Sequence, residues 1–513
     1  MKYTSFVLVG LIVVPLLLVA VPQAATLYVD WKLDTTESGE FITAFAHLYG
    51  VPQVEENFNL YFCGVELDAT NAKVPTSGIM EISVGEYAQP AREVYEIAQK
   101  NVYTYGLNPT FNEKIAQIST PTPVTVDLKI TDKSGAQLYA DSKTIQMLPI
   151  GYYAWILGDT DMRPMSPVLA TPHADPVQKV IGTAAKATPW KAILGYQEYT
   201  GYSHDEIVEY QMQAIYNVLQ NLDISYVSTM ATFTSTDAQR VRLPVQTLAD
   251  RGGNCIELTL LFDAAYEAMG FNTEFVFVPG HVFIAVETWP GSGEVFPLET
   301  TMLGTNPYTE ARSRGIDEYN AASDGDSYIF RVGQVRQIGV APTPYMDKMS
   351  DGTVFYEKID QISTQIGSAR TQLERLKNSM ESAESVPHSV EEQYNKAISL
   401  FEIGKYEDSE KLATEGLDAM GQGEITTTET GTAETFAGFV FLLLPVVVIV
   451  LAVLYLRARR KGRATPATAA VVTAPTVVVT APAAVPSAKF CIQCGKDIPL
   501  DAEFCKHCGI RQV

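Results

Sequence analysis

Cysteine and positive charge are both in short supply in this sequence. Six cysteines are spread over 513 residues, with Cys63 and Cys255 standing alone and the other four crowded near the C-terminus. That distribution excludes the disulfide framework of a small secreted domain. Lysine and arginine number 37 against 59 aspartates and glutamates, a net charge of −22. So acidic a surface excludes the basic patch of a nucleic-acid binder, and no nucleic-acid partner is expected. The length suggests about three domains.

What is present is organised around residues 243–301. Gly252, Gly253 and Asn254 lead into Cys255, and residues 256–269 are apolar at helical spacing through Leu258, Leu261, Phe262, Ala265 and Met269, ending at Gly270. Next come a β-rich run over 273–278, a Pro-Gly turn at 279–280 and a second run opened by His281. A third run over 294–298 ends on Glu299. A cysteine at a helix start, a histidine at a strand start and an acid at a strand end form a pattern for thiol acyl transfer. The helix N-terminus offers unpaired N–H groups and the positive end of the dipole, which favour thiolate over thiol. An imidazole nearby holds the proton and returns it to a leaving amine. A carboxylate on the far ring nitrogen orients that imidazole. The two glycines let a substrate carbonyl approach backbone donors.

The pieces G-N-C before an apolar helix, G-H-V-F and L-E-T-T resemble the core of the transglutaminase-like superfamily, a papain-like cysteine fold. The resemblance covers about sixty residues by motif and roughly two hundred with the helical run before it. It implies an α+β core with Cys255 as nucleophile, His281 as base and Glu299 as third member. Two positions depart from the family pattern. Glu299 in E-T-T stands where many members have Asp in D-P-T, and His281-Val282-Phe283 replaces a frequent His-Trp. Taken singly, a cysteine on an apolar helix or a histidine opening a strand is an ordinary core residue; the joint occurrence carries the reading.

Around that core the chain divides by composition. Residues 1–25, with the apolar run from Phe6 to Val21, read as a signal peptide or anchor. Residues 27–150 alternate apolar and polar side chains and read as a β-sandwich-like domain, in which Cys63 is a buried strand residue and PAREVYEIAQKNVY forms one helix. The transglutaminase-like domain spans 151–345, its preceding helices including one with Ile207, Tyr210, Ile215, Leu219 and Leu222 on its apolar face. Over 350–420 the seam Ile359, Ile362, Ile366, Ala369, Leu373, Leu376 and Met380 predicts a helical hairpin or coiled coil. A Gly/Thr/Glu tether over 421–435 precedes an uncharged run from Phe436 to Leu456, long enough for one transmembrane helix. The arginines and lysine at 457–463 place residues 457–513 in the cytoplasm and the catalytic domain outside.

Residues 464–488 form a low-complexity linker, and 489–510 carry FCIQCG and FCKHCG. Cys491, Cys494, Cys505 and Cys508 make two C-x2-C pairs with ten residues between them, a donor set for one tetrahedral, structural zinc. The doubled knuckle resembles small prokaryotic zinc ribbons. The sequence therefore predicts a multidomain, membrane-anchored protein. Outside the cell it carries a cysteine peptidase, amidase or cross-linking enzyme acting on a protein or peptide, and in the cytoplasm a zinc ribbon open to a protein partner. The alternative is a catalytically inactive receptor or scaffold of the same architecture.

Overall fold

A computed structural model describes residues 27–229, 233, 235–322, 327–345 and 352–423, with the backbone of two short strands at 488–490 and 497–499. These residues form a mixed α/β structure with a half-barrel sheet.

The N-terminal part packs two sheets. Tyr28–Leu33, Cys63–Asp68 and Val102–Leu107 form one antiparallel sheet. The other runs Glu40–Phe41, Gln137–Met147, Thr122–Asp132, Thr76–Val84 and Ala91–Ile97. Alternation explains the packing: along Thr122–Asp132 the residues Val124, Val126, Leu128 and Ile130 are buried and their neighbours face out. The stretch PAREVYEIAQKNVY is not a helix. Ala91–Ile97 and Val102–Leu107 are strands, because Val94, Tyr95, Ile97, Tyr103 and Tyr105 are β-branched or aromatic, and Tyr95 and Ile97 bury on a two-residue period.

The helices, in chain order, are α1 (Pro52–Phe58), α2 (Asp175–Ala185), α3 (His204–Asn221), α4 (Pro244–Asp250), α5 (Cys255–Ala268), α6 (Tyr308–Ala322), α7 (Val332–Gln337), α8 (Thr353–Ser382), α9 (His388–Glu402) and α10 (Tyr406–Gly423). Helix α5 is buried around nearly its whole circumference and lies at the centre. It packs on an antiparallel sheet ordered Val295–Leu298, His281–Glu287, Thr273–Val278, Tyr328–Arg331. The His281–Glu287 strand does not alternate, since both of its faces are covered. Val282, Ile284 and Val286 meet the α5 side, while Phe283 and Ala285 lie under Tyr319 and Ala322 of α6.

The segments expected as separate domains are packed together. One continuous apolar core runs from Val29 in the first sheet, through α5, to Ile359, Ile362, Ile366 and Ala369 on α8 and Tyr406 on α10. Phe45 meets Tyr153 edge to face across the N-terminal boundary, with ring centroids 5.3 Å apart. The heptad seam on α8 therefore faces the core around α5 for its first half. Only its second half, at Leu376, packs with Val390, Ala397 and Ala413 of α9 and α10. Three helices stand where a hairpin was expected. The transmembrane helix is corrected as well: no helix among the described residues is long and apolar enough to cross a membrane. The run from 436 to 456, the N-terminal 1–25 segment, the 464–488 linker and the four cysteines of the zinc motif lie outside the described residues, apart from the backbone at 488.

Candidate active site

Cys255 is the first residue of α5, and the chain before it is built to start a helix there. Asn254 is the N-cap, its side chain accepting from Glu257 N–H at 3.1 Å while Glu257 Oε2 accepts from Asn254 N–H at 2.9 Å. This capping box satisfies two backbone donors at the buried helix start. Arg242 locks it, its Nη1 donating to Glu257 Oε2 at 3.0 Å and its backbone N–H to Oε1 at 2.9 Å. Asn254 Nδ2 also donates to Thr229 Oγ1 at 3.0 Å. Asn254→Ala should destabilise the fold by about 1–2 kcal/mol, read as a lower urea midpoint at unchanged slope.

The glycines before it serve packing more than substrate approach. A Cβ on Gly253 would sit 3.0 Å from Glu257 Cβ and 3.1 Å from Thr247 Cγ2, and one on Gly252 would sit 2.9 Å from Val227 Cγ2. Their missing side chains make room for the capping carboxylate and for the parallel pairing of Gly252–Gly253 with Ser225–Tyr226.

His281 opens its strand directly after Pro279 and Gly280, the two-residue loop of the hairpin in which Val278 pairs with His281. Gly280 has φ +73°, a conformation suited to glycine. The ring Nε2 lies 2.8 Å from Glu299 Oε2, and the Cys255 side chain is near enough to favour the protonated ring. Glu299 in turn is the cap of a short 3-10 turn, Thr300–Met302. Its Oε1 accepts from Thr301 N–H at 2.9 Å and from Thr301 Oγ1 at 2.5 Å. Thr259 of α5 ties the assembly together, with Oγ1 3.3 Å from Val282 O and 3.4 Å from Thr300 Oγ1.

The three sequence candidates thus converge on one site. Cys255 is 4% exposed and Glu299 3%, so the imidazole, at 24%, is the most open member. Burial would lower the His281 pKa. Hydrogen bonds to Cys255 and Glu299, with the charges of both, outweigh it and raise the ring from 6.5 to about 10. Burial would raise Glu299, but its bonds to His281, Glu318 and Thr301 hold it well below the usual carboxylate range. The resting pair is therefore imidazolium and carboxylate. Cys63, by contrast, is an inert thiol pushed up to about 12 by burial. Both cysteines are free.

A fourth group, absent from the sequence expectations, is Glu318 of α6, with Oε2 3.7 Å from His281 Nε2. One ligand atom each from His281, Glu299 and Glu318 lie within 4.8 Å of one another, a spacing a cation could use. His281 Nε2 and Glu299 Oε2 already pair directly at 2.8 Å, a geometry that suits proton chemistry. Gly315, a glycine inside a helical pattern, hints at close packing of α6 but does not by itself point to Glu318. Concavity does not identify this site. A cleft of about 360 Å³ lined by Tyr202, Tyr210, Arg370, Tyr394 and Phe401 lies between α3 and the C-terminal helices and contains none of the triad. Comparison with protein-family models, with curated proteins and with solved structures finds no match to this chain.

Proposed function

We propose that the chain is a cysteine acyl-transfer enzyme of transglutaminase-like type, acting on amide bonds of a protein or peptide. The observation that carries this reading is the contact chain Cys255–His281–Glu299 at the N-terminus of the central helix. In the proposed cycle the Cys255 sulfur attacks the amide carbonyl. The oxyanion forms beside the first-turn N–H groups of α5, which no intrahelical carbonyl reaches. His281 donates its Nδ1 proton to the departing amine and becomes neutral, Glu299 keeping the ring oriented. Water or a second amine then attacks the thioester, His281 takes its proton, and the thiolate is restored. Hydrolysis and cross-linking use the same groups and differ only in the acceptor.

An activated ester tests this without knowledge of the substrate. The full chain incubated with p-nitrophenyl acetate should release a burst of nitrophenol and carry one acetyl group on Cys255 by peptide mass mapping. Added primary amine should accelerate turnover if the enzyme transfers to amines. A Cys255 left unacylated would contradict the proposal. The burial of Cys255 favours a second reading, a non-catalytic binding protein of the same fold, and the same experiment separates the two.

Zinc at the C-terminal motif is part of the proposal. Its support is the donor set of Cys491, Cys494, Cys505 and Cys508, bracketed at the first pair by backbone pairing of Ala488–Phe490 with Asp497–Pro499. Four thiolates fill the coordination shell, so the ion would hold a fold and leave no open position for chemistry. Metal analysis of the full chain should find one zinc, lost when Cys505 and Cys508 are replaced by serine. Zinc content unchanged by that replacement would contradict it.

A further inference from the structure

Glu299 does not face His281 alone. Helix α6 packs so closely on the Val295–Leu298 strand that a Cβ on Gly315 would sit 2.8 Å from Leu298 N and from Pro297 C and O. Arg312 fixes the same contact, donating from Nη1 to Pro297 O at 2.6 Å. The next residues of the helix then deliver Glu318 to the end of that strand, where Glu299 begins the 3-10 turn. Glu318 Oε1 meets Arg314 at 2.7 Å, but that guanidinium is 59% exposed and its charge is screened by solvent. Glu318 Oε2 is different. It is buried, lies 3.7 Å from His281 Nε2, and has no hydrogen-bond donor if both glutamates are ionised. An oxygen of Glu318 and one of Glu299 lie within 4.8 Å of each other; two carboxylates so close, one of them deeply buried, repel, and a single proton between them turns the repulsion into a hydrogen bond.

We propose that Glu318 is a positioning residue: a carboxylic acid that donates a hydrogen bond to Glu299 and so holds the triad carboxylate against His281. With that bond Glu299 accepts from His281, from both donors of Thr301 and from Glu318, which fixes its orientation. The elevation of the Glu318 pKa by burial and by the neighbouring Glu299 is consistent with a proton resident there. The inference rests on the acyl-transfer reading of the same site.

The test is the rate of Cys255 alkylation by iodoacetamide as a function of pH in the full chain, for wild type, Glu318→Gln and Glu318→Ala. Glutamine keeps shape and an N–H donor, so Glu318→Gln should retain the wild-type profile within about twofold. Glu318→Ala should slow alkylation near neutral pH by about tenfold, the size of one hydrogen bond to a charged group, and move the profile to higher pH. Should the alanine variant misfold by circular dichroism, Glu318→Met, which fills the same volume without a donor, takes its place. An unchanged profile in Glu318→Ala, with wild type activated, overturns this inference and leaves the acyl-transfer reading standing. A glutamine variant as slow as the alanine one also overturns it, since an anion would then be required. A wild-type cysteine that reacts only near the ordinary thiol pKa removes the underlying reading itself, and this inference with it.

Discussion

Cys255→Ala should abolish the proposed amide and ester turnover while leaving a folded protein. In the proposed mechanism the Cys255 sulfur forms the thioester, so its removal should lower kcat/KM by a factor on the order of 10⁵ or more, down to whatever the oxyanion donors and binding alone provide. The structural cost is small. The sulfur fills little volume at the first position of α5, and the Asn254–Glu257 capping box and Arg242 are untouched by the change. A loss of about 1 kcal/mol is expected, as for an ordinary core truncation. Turnover of p-nitrophenyl acetate and a thermal melt on the same sample measure both. Turnover within tenfold of wild type in a folded Cys255→Ala protein would remove the mechanism.

His281→Ala has a different signature, because the imidazolium is both proton donor and electrostatic partner. Without it no imidazolium stands beside the sulfur, and alkylation near pH 6.5 should slow on the order of a hundredfold, the ionised fraction of an unperturbed thiol being about 1% there. Stability changes in a pH-dependent way. The folded state holds the His281 proton more tightly than the unfolded chain, its pKa rising from 6.5 to about 10. That contribution is fully present below about pH 6.5 and is lost as pH rises through about 10. The stability gap between wild type and His281→Ala should therefore be widest below pH 6.5 and should close toward pH 10. Urea unfolding of both proteins at a series of pH values checks this, and a gap that widened with pH would contradict the charge state assigned to the ring.

The candidate site was legible where its signals are local. Asn254 and Glu257 at cap spacing, with an apolar run behind them, mark the start of α5 and place Cys255 at it. Pro279 and Gly280 mark the turn before His281, and Glu299 ends the third apolar run. What brings these three together is the stacking of α5 on its sheet, which the order of the segments suggests. Glu318 was not legible, because its place depends on how closely α6 approaches the strand, a matter of Gly315 and Arg312 rather than of any motif. The packing roles of Gly252 and Gly253 were not legible for the same reason: their neighbours Val227 and Thr247 are close in space only after folding. In the N-terminal part, Val94, Tyr95, Ile97 and Val102 fit a helical spacing loosely and a strand period well, and aromatic and β-branched content should have decided it. Composition shifts near residues 150 and 345 suggested domain limits, yet the apolar faces on either side share one core. A pattern of apolar positions says that a face is buried without saying against what. The heptad seam of α8 is the sharpest case, since half of it is used by the core around α5 and half by α9 and α10.

The central claim is that Cys255 and His281 form a thiolate–imidazolium pair. The pH dependence of Cys255 alkylation in the wild-type full chain tests it most directly, with the modified residue identified by peptide mapping. The pair predicts a rate already at its plateau near neutral pH and steady up to about pH 10, where the ring loses its proton. A rate that is negligible at neutral pH and rises only around the ordinary thiol value of about 8.5 would show an unactivated cysteine and contradict the account.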